Sequence, residues 1–200
     1  LQQSLELDLK SPEAHNVMGG LIEKDDDFIK AEQNYRKALS LKSEYPQARN
    51  NYGVLLYRLK RYKEAMEQFS IAAADLSYER RETALEYVGK IALMLGDKEK
   101  AKTTFERALK LNPLLPNPAL ELALFAFEEQ KLPEANRYYQ RYIRALETEP
   151  QSARGLWLGI RLARVNHDNN ALAIYEFTLK RLYANSDEYQ AYLSSLNSGS

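Results

Sequence analysis

Residues 50–72 read NNYGVLLYRLKRYKEAMEQFSIA, and four of them set a frame that recurs along the chain: Gly53, Ala65, Phe69 and Ala72. Stepping back 34 residues gives Gly19, Ala31, Tyr35 and Ala38. Stepping forward 36 gives Gly89, Ala101, Phe105 and Ala108. Two further steps of 34 and 36 give Ala123, Ala135, Tyr139 and Tyr142, then Gly159, Ala171, Tyr175 and Thr178. A small–small–aromatic–small frame at such a period implies repeated pairs of antiparallel helices. The first small residue belongs in helix A where helix B crosses closely, and the second in helix B against that spot. Small side chains there let the backbones approach. The aromatic is expected to fill the space between one pair and the next. Glycine inside a helix costs up to ~1 kcal/mol relative to alanine, so four glycines at one frame position need a packing reason.

The frame resembles the tetratricopeptide repeat, a helix–turn–helix unit of about 34 residues. The expected fold is all-α, a right-handed superhelical solenoid of helix pairs in which each unit contacts its neighbours. Five units are expected, at 12–45, 46–79, 82–115, 116–149 and 152–185. Residues 1–11 read as the end of a truncated repeat, as if the chain began inside a larger mature protein. A capping helix is expected at 186–196, with Asn185, Ser186 and Asp187 at its start and a flexible tail after it. Expected helices run over 13–24, 28–41, 47–59, 62–75, 81–95 and 98–111. The later ones run to about 130, from 133 or 134 to 147, and over 151–165 and 168–183. Pro46, Pro116 and Pro118 suit first helical turns. Asp25, Asp26 and Asp27 read as a solvated turn that puts negative charge at the start of a helix, and no other ligand stands near to make them a metal site.

The composition narrows the function classes. Twenty-eight acidic and 28 basic residues cancel, so no basic excess points to nucleic acid. No apolar run approaches a membrane span. There is no cysteine, which excludes disulfides, thiolate nucleophiles and cysteine metal sites within these residues. His15 and His167 lie four repeats apart. His15 is expected as a half-buried packing residue and His167 in a turn. No glycine-rich phosphate loop and no serine–histidine arrangement can be traced. The expectation is a non-enzymatic protein without cofactor or metal, monomeric, acting through a surface.

That surface is read from helix A. Positions 2, 5, 9 and 12 of each unit form a stripe at helical spacing, expected to line the concave groove. The proposed protein-binding residues are Asn16, Asn50, Tyr57, Lys90, Leu120, Leu124, Phe127 and Trp157. Glu23 falls on the same stripe. Leu156 and Ile160 could face the groove or be buried by the last helix. Some tetratricopeptide proteins clamp a chaperone's C-terminal carboxylate with lysine, asparagine and arginine. Asn51 matches one such position, but Asn16, Gly20, Thr83 and Tyr87 supply no cation at the others.

Four segments carry a narrower resemblance: NNYGVLLYRLKRYKEA (50–65), LSYERRETALEYVGKIAL (76–93), ARGLWLGIRLARV (153–165) and LKRLYANSDEYQ (179–190). They are similar to the PilF/PilW type IV pilus biogenesis lipoproteins. The resemblance implies a pilotin held to the periplasmic face of the outer membrane of a Gram-negative bacterium. Its lipid would sit on a cysteine upstream of Leu1. Its partner would be a secretin subunit or another type IV pilus protein, whose localisation and multimerisation it assists. The competing expectation is a soluble cytoplasmic adaptor for another complex. A lipidation cysteine encoded upstream separates the two.

Overall fold

The computed structural model of the protein describes residues 11–197. The readings of 1–10 as a truncated repeat and of 198–200 as a tail lie outside the described residues. Among those described the structure is wholly helical: α1 Pro12–Lys24, α2 Phe28–Leu41, α3 Pro46–Arg58, α4 Tyr62–Ala74, α5 Arg81–Met94, α6 Lys98–Leu111, α7 Pro116–Glu128, α8 Leu132–Ala145, α9 Ala153–Val165, α10 Asn169–Tyr183 and α11 Asp187–Asn197. The expected bounds fall within a few residues of these.

Local chemistry explains the starts. The Ser11 hydroxyl accepts from the Ala14 N–H at 3.0 Å, and Asp27, Ser152 and Asp168 cap α2, α9 and α10 in the same way. Each cap satisfies a first-turn donor that the helix itself cannot. Pro12, Pro46 and Pro116 open α1, α3 and α7, where a missing N–H costs nothing. Within each pair the chain reverses through one left-handed residue: Asp26 at φ 59°, Lys60 at 60°, Gly96 at 82°, Gln130 at 58° and His167 at 56°. Only Gly96 adopts that conformation without a Cβ penalty.

The helices pack as α1/α2, α3/α4, α5/α6, α7/α8 and α9/α10. Contacts divide the chain into two compact units that part between Leu111 and Asn112. In the first unit α2 also meets α3, and α4 meets α5. In the second, α11 lies on α9 and α10, with the Ser186 hydroxyl capping its first turn. Leu156, Ile160 and Leu179 are buried there beneath Tyr175, Tyr183, Tyr189 and Tyr192. That decides the open reading of Leu156 and Ile160 in favour of burial.

Ala31, Ala65, Ala101 and Ala135 are fully buried, as the frame requires. Ala171 is only half-buried. The partner of each glycine differs from the expectation. A Cβ on Gly19 would stand 2.8 Å from Tyr35 Cε1, and on Gly53 2.9 Å from Phe69 Cε1. The glycine therefore makes room for the ring of its own pair, because the flat ring needs more depth than the alanine methyl does. The ring still reaches forward. Phe69 stacks on Tyr87 of α5 at 4.5 Å and 5°. Gly159 in the last pair lies against two rings, Tyr139 of α8 and Tyr175 of α10.

Candidate functional site

In the first unit, Tyr57 projects from the last turn of α3 and is half-buried. Its ring meets Tyr62 and Tyr87 edge-on, each at 5.5 Å. Its hydroxyl reaches Met94 Sδ at 3.6 Å. The Lys90 ammonium sits 5.0 Å over the Tyr57 ring, while the Lys90 side chain remains exposed. Ring contacts on both sides hold Tyr57 in one rotamer, so it offers area at low entropic cost. The ammonium above it can receive a carboxylate or a backbone carbonyl.

Three expected groove residues stand elsewhere. Asn50 is 6% exposed, and its Oδ1 is buried with no hydrogen-bond partner. Leu120 is 5% exposed and belongs to the core of the second unit. Asn16 is 9% exposed, and its Oδ1 accepts from Asn51 Nδ2 at 3.0 Å. The physical reason is shared. Part of the expected stripe turns into the packed core, and α1 meets α3 there through Asn16 and Asn51.

Glu23 is corrected for the same reason. It is buried, accepts from the Tyr35 hydroxyl at 3.0 Å, and pairs with Arg58 at 2.8 Å. Burial, then the neighbouring Glu23 charge, pushes the Tyr35 hydroxyl well above its usual range. A second network surrounds Glu32. Arg61 contacts both its oxygens, at 2.9 and 2.8 Å, and the Tyr52 hydroxyl donates to it at 2.7 Å. Sequence reasoning overlooked both networks. The signal was present: Glu23 and Arg58, like Asn16 and Asn51, stand 35 residues apart, which is one repeat. Asp26 and Asp27 are engaged by Arg58 and Lys30. His15 faces Asn34 across α1/α2 at 3.0 Å, and His167 is exposed in its turn.

In the second unit, Phe127 of α7 and Trp157 of α9 are half-buried, as is Leu124 three residues before Phe127 on α7. Arg161 lies over both rings, 4.7 Å from the Phe127 centre and 5.3 Å from that of Trp157. Trp157 also meets Tyr192 of α11 edge-on at 6.4 Å. Burial lowers the Arg161 pKa, and the Glu128 charge offsets this in part. This cation was overlooked in the sequence, where it reads as one more basic residue of LGIRLA. The loop before α5 also differs from a plain exposed connection, because Tyr78 in it is 5% exposed.

Paired helices carrying this frame define a tetratricopeptide-repeat protein, and two tetratricopeptide-repeat family models match residues 24–79 and 83–115. The chain is 37% identical over 192 residues to the type IV pilus assembly protein PilF of Pseudomonas aeruginosa, covering 96% of this chain and 75% of that one. It belongs to the PilF family of type IV pilus biogenesis proteins. The solved structure of Pseudomonas aeruginosa PilF superposes with a TM-score of 0.88 at 36% identity, over 97% of this chain and 86% of that one. PilW, described as a widely conserved type IV pilus biogenesis factor, superposes at 0.70 and 29% identity, over 96% and 87%. YrrB, a repeat protein with an unusual peptide-binding site, superposes at 0.69 with 16% identity, over 96% and 97%. That last likeness is one of fold alone.

Proposed function

We propose that this chain is a pilotin-like, non-catalytic scaffold for type IV pilus biogenesis. It captures a segment of the secretin and helps the subunits reach the outer membrane and multimerise. The observation that carries this reading is the kinship with PilF along nearly the whole chain. The half-buried rings say how capture would work. Tyr57 with Lys90 in one unit, and Leu124, Phe127 and Trp157 in the other, offer rigid apolar area beside fixed cations. Area held still before binding loses little entropy on binding. Membrane location would come from a lipid joined upstream of Leu1, at the periplasmic face. Among the described residues no helix is long and apolar enough to cross a membrane.

The test is secretin assembly in cells carrying Tyr57→Ala or Phe127→Ala. Central aromatic anchors often cost over ~2 kcal/mol on truncation. Both variants should lose secretin multimers while remaining folded, with a lower melting temperature for Tyr57→Ala because its ring also links α3 to α5. Normal multimers from two folded variants would move the binding surface away from these rings.

A further inference from the structure

Helix α9 carries three arginines, and two of them are satisfied. Arg154 holds the Glu121 carboxylate with two nitrogens, at 2.6 and 3.1 Å. Arg164 donates to Ser195 Oγ at 2.9 Å and reaches Glu176 at 3.4 Å. Arg161 differs. Its Nε is buried and bonded to nothing. Among the described residues no carboxylate pairs with it, and Glu128 acts on it only as a more distant charge. Two ring faces, Phe127 and Trp157, stabilise the cation. Such faces attract the charge but take no in-plane N–H bond, so the guanidinium's donor edge stays unspent.

Building on the scaffold reading above, we infer that Arg161, Phe127 and Trp157 form a receptor for a side-chain carboxylate carried on an apolar peptide segment. Three observations select that ligand. No carboxylate among the described residues touches this cation, whereas Arg154, two turns earlier on α9, holds Glu121. Its planar fork matches a carboxylate in a way a point charge does not. The flanking surface, Leu124, Phe127 and Trp157, is apolar and already half-buried, so it suits leucine-like neighbours of the acid. Weak local hydration strengthens the resulting hydrogen bonds. Docking draws the guanidinium edge out from its shielded position and alters the surroundings of the indole.

Trp157 is the single tryptophan of the chain, so its emission reports on this site alone. The full chain is titrated with acetyl-Leu-Glu-Leu-Leu-amide, with its glutamine isostere, with acetyl-Leu-Gln-Leu-Leu bearing a free C-terminus, and with inorganic phosphate. The glutamate peptide should give a saturable shift, and the isostere should bind at least about tenfold more weakly. Arg161→Lys should weaken the glutamate peptide about tenfold, because the fork is lost. Arg161→Met should abolish the shift without lowering the melting temperature, since no partner is orphaned.

Equal binding of the two amidated peptides, or no saturable shift with any probe, would overturn the receptor. So would an unaffected Arg161→Met variant. Tighter binding of the free C-terminus would overturn the side-chain assignment, and saturation by phosphate at the same concentration would mark a general anion site. Secretin assembly is scored separately in Arg161→Met cells. Peptide binding with normal multimers keeps the receptor and removes the secretin reading. Lost multimers without glutamate preference does the reverse.

Discussion

Gly89 of α5 lies directly against the ring of Phe105 on α6: a Cβ there would stand 2.5 Å from Cε1 and 2.7 Å from Cδ1. The ring is fully buried and has nowhere to retreat. Gly20, by contrast, would place its Cβ at an ordinary 3.5 Å from the Tyr35 hydroxyl. Gly89→Ala should therefore destabilise by about 1–3 kcal/mol through overpacking. Gly20→Ala should gain up to ~1 kcal/mol from the helical preference of alanine. Thermal melts of the two variants should move in opposite directions. A shared direction would show that the ring is more yielding than its burial implies.

Ala65 is fully buried in α4. Ala65→Leu adds an isopropyl group to a filled crossing and should cost about 1–3 kcal/mol. A melt indistinguishable from the parent would mean that space exists beside the methyl.

The Glu32 network predicts a loss of stability in acid. Burial alone would raise the Glu32 carboxyl, but hydrogen bonds from Tyr52 and Arg61 outweigh it, helped by the charges of Arg61 and Arg36. The net effect holds the group below its ordinary 4.5. A carboxyl depressed in the folded state contributes fully above its unfolded value. That contribution disappears as pH falls from about 4.5 through the lowered folded value. The melting temperature should thus decline across that window, and Glu32→Gln should flatten the decline. At neutral pH the same variant should cost about 1–3 kcal/mol, since charged hydrogen bonds are lost. An unchanged acid profile in Glu32→Gln would place the titrating group elsewhere.

The turn residues make a fourth prediction. Gln130 holds φ at 58° with a side chain, a conformation costing roughly 1–2 kcal/mol for a non-glycine residue. Gln130→Gly should stabilise by about 0.5–1 kcal/mol, after allowing for glycine's greater freedom in the unfolded chain. Gly96→Ala, at the matching turn of α5/α6, should destabilise by a similar amount. Chemical denaturation curves of both variants check the pair of signs.

The sequence was most legible where physics is local. Asp27 and Ser186 announce two helix starts, Pro46 and Pro116 two more, and the spacing of Gly53, Ala65 and Phe69 orders the pairs. What could not be read was which neighbour each residue meets. Gly53 was matched with Ala65 because both are small, yet it faces Phe69. Asn50 and Leu120 share a stripe with Tyr57 and Leu124, but the first two are buried and the others half-open. Helical periodicity gives an angle about one axis and nothing about the next axis over. Arg161 shows the same limit: its sequence neighbours look like those of Arg154, and only the position of Glu121 separates a paired cation from an unpaired one.

The stack of Phe69 on Tyr87, continued edge-on through Tyr57 to Tyr62, bears on how the first unit comes apart. These four rings belong to α3, α4 and α5, so they bind the second helix pair to the third. The first pair meets the second through a looser ring contact, Tyr35 with Tyr52 at 6.2 Å and tilted by 34°, and otherwise through polar links, Glu23 with Arg58 and Glu32 with Arg61 and Tyr52. Stability in stacked repeats is nearly a sum of such nearest-neighbour couplings. As Glu32 is protonated in acid its links to Arg61 and Tyr52 weaken, and amide hydrogens of α1 and α2 should then exchange through a partial opening that leaves α3 to α6 closed. In acid α1 and α2 should open from α3, while the ring-linked pairs α3/α4 and α5/α6 melt together.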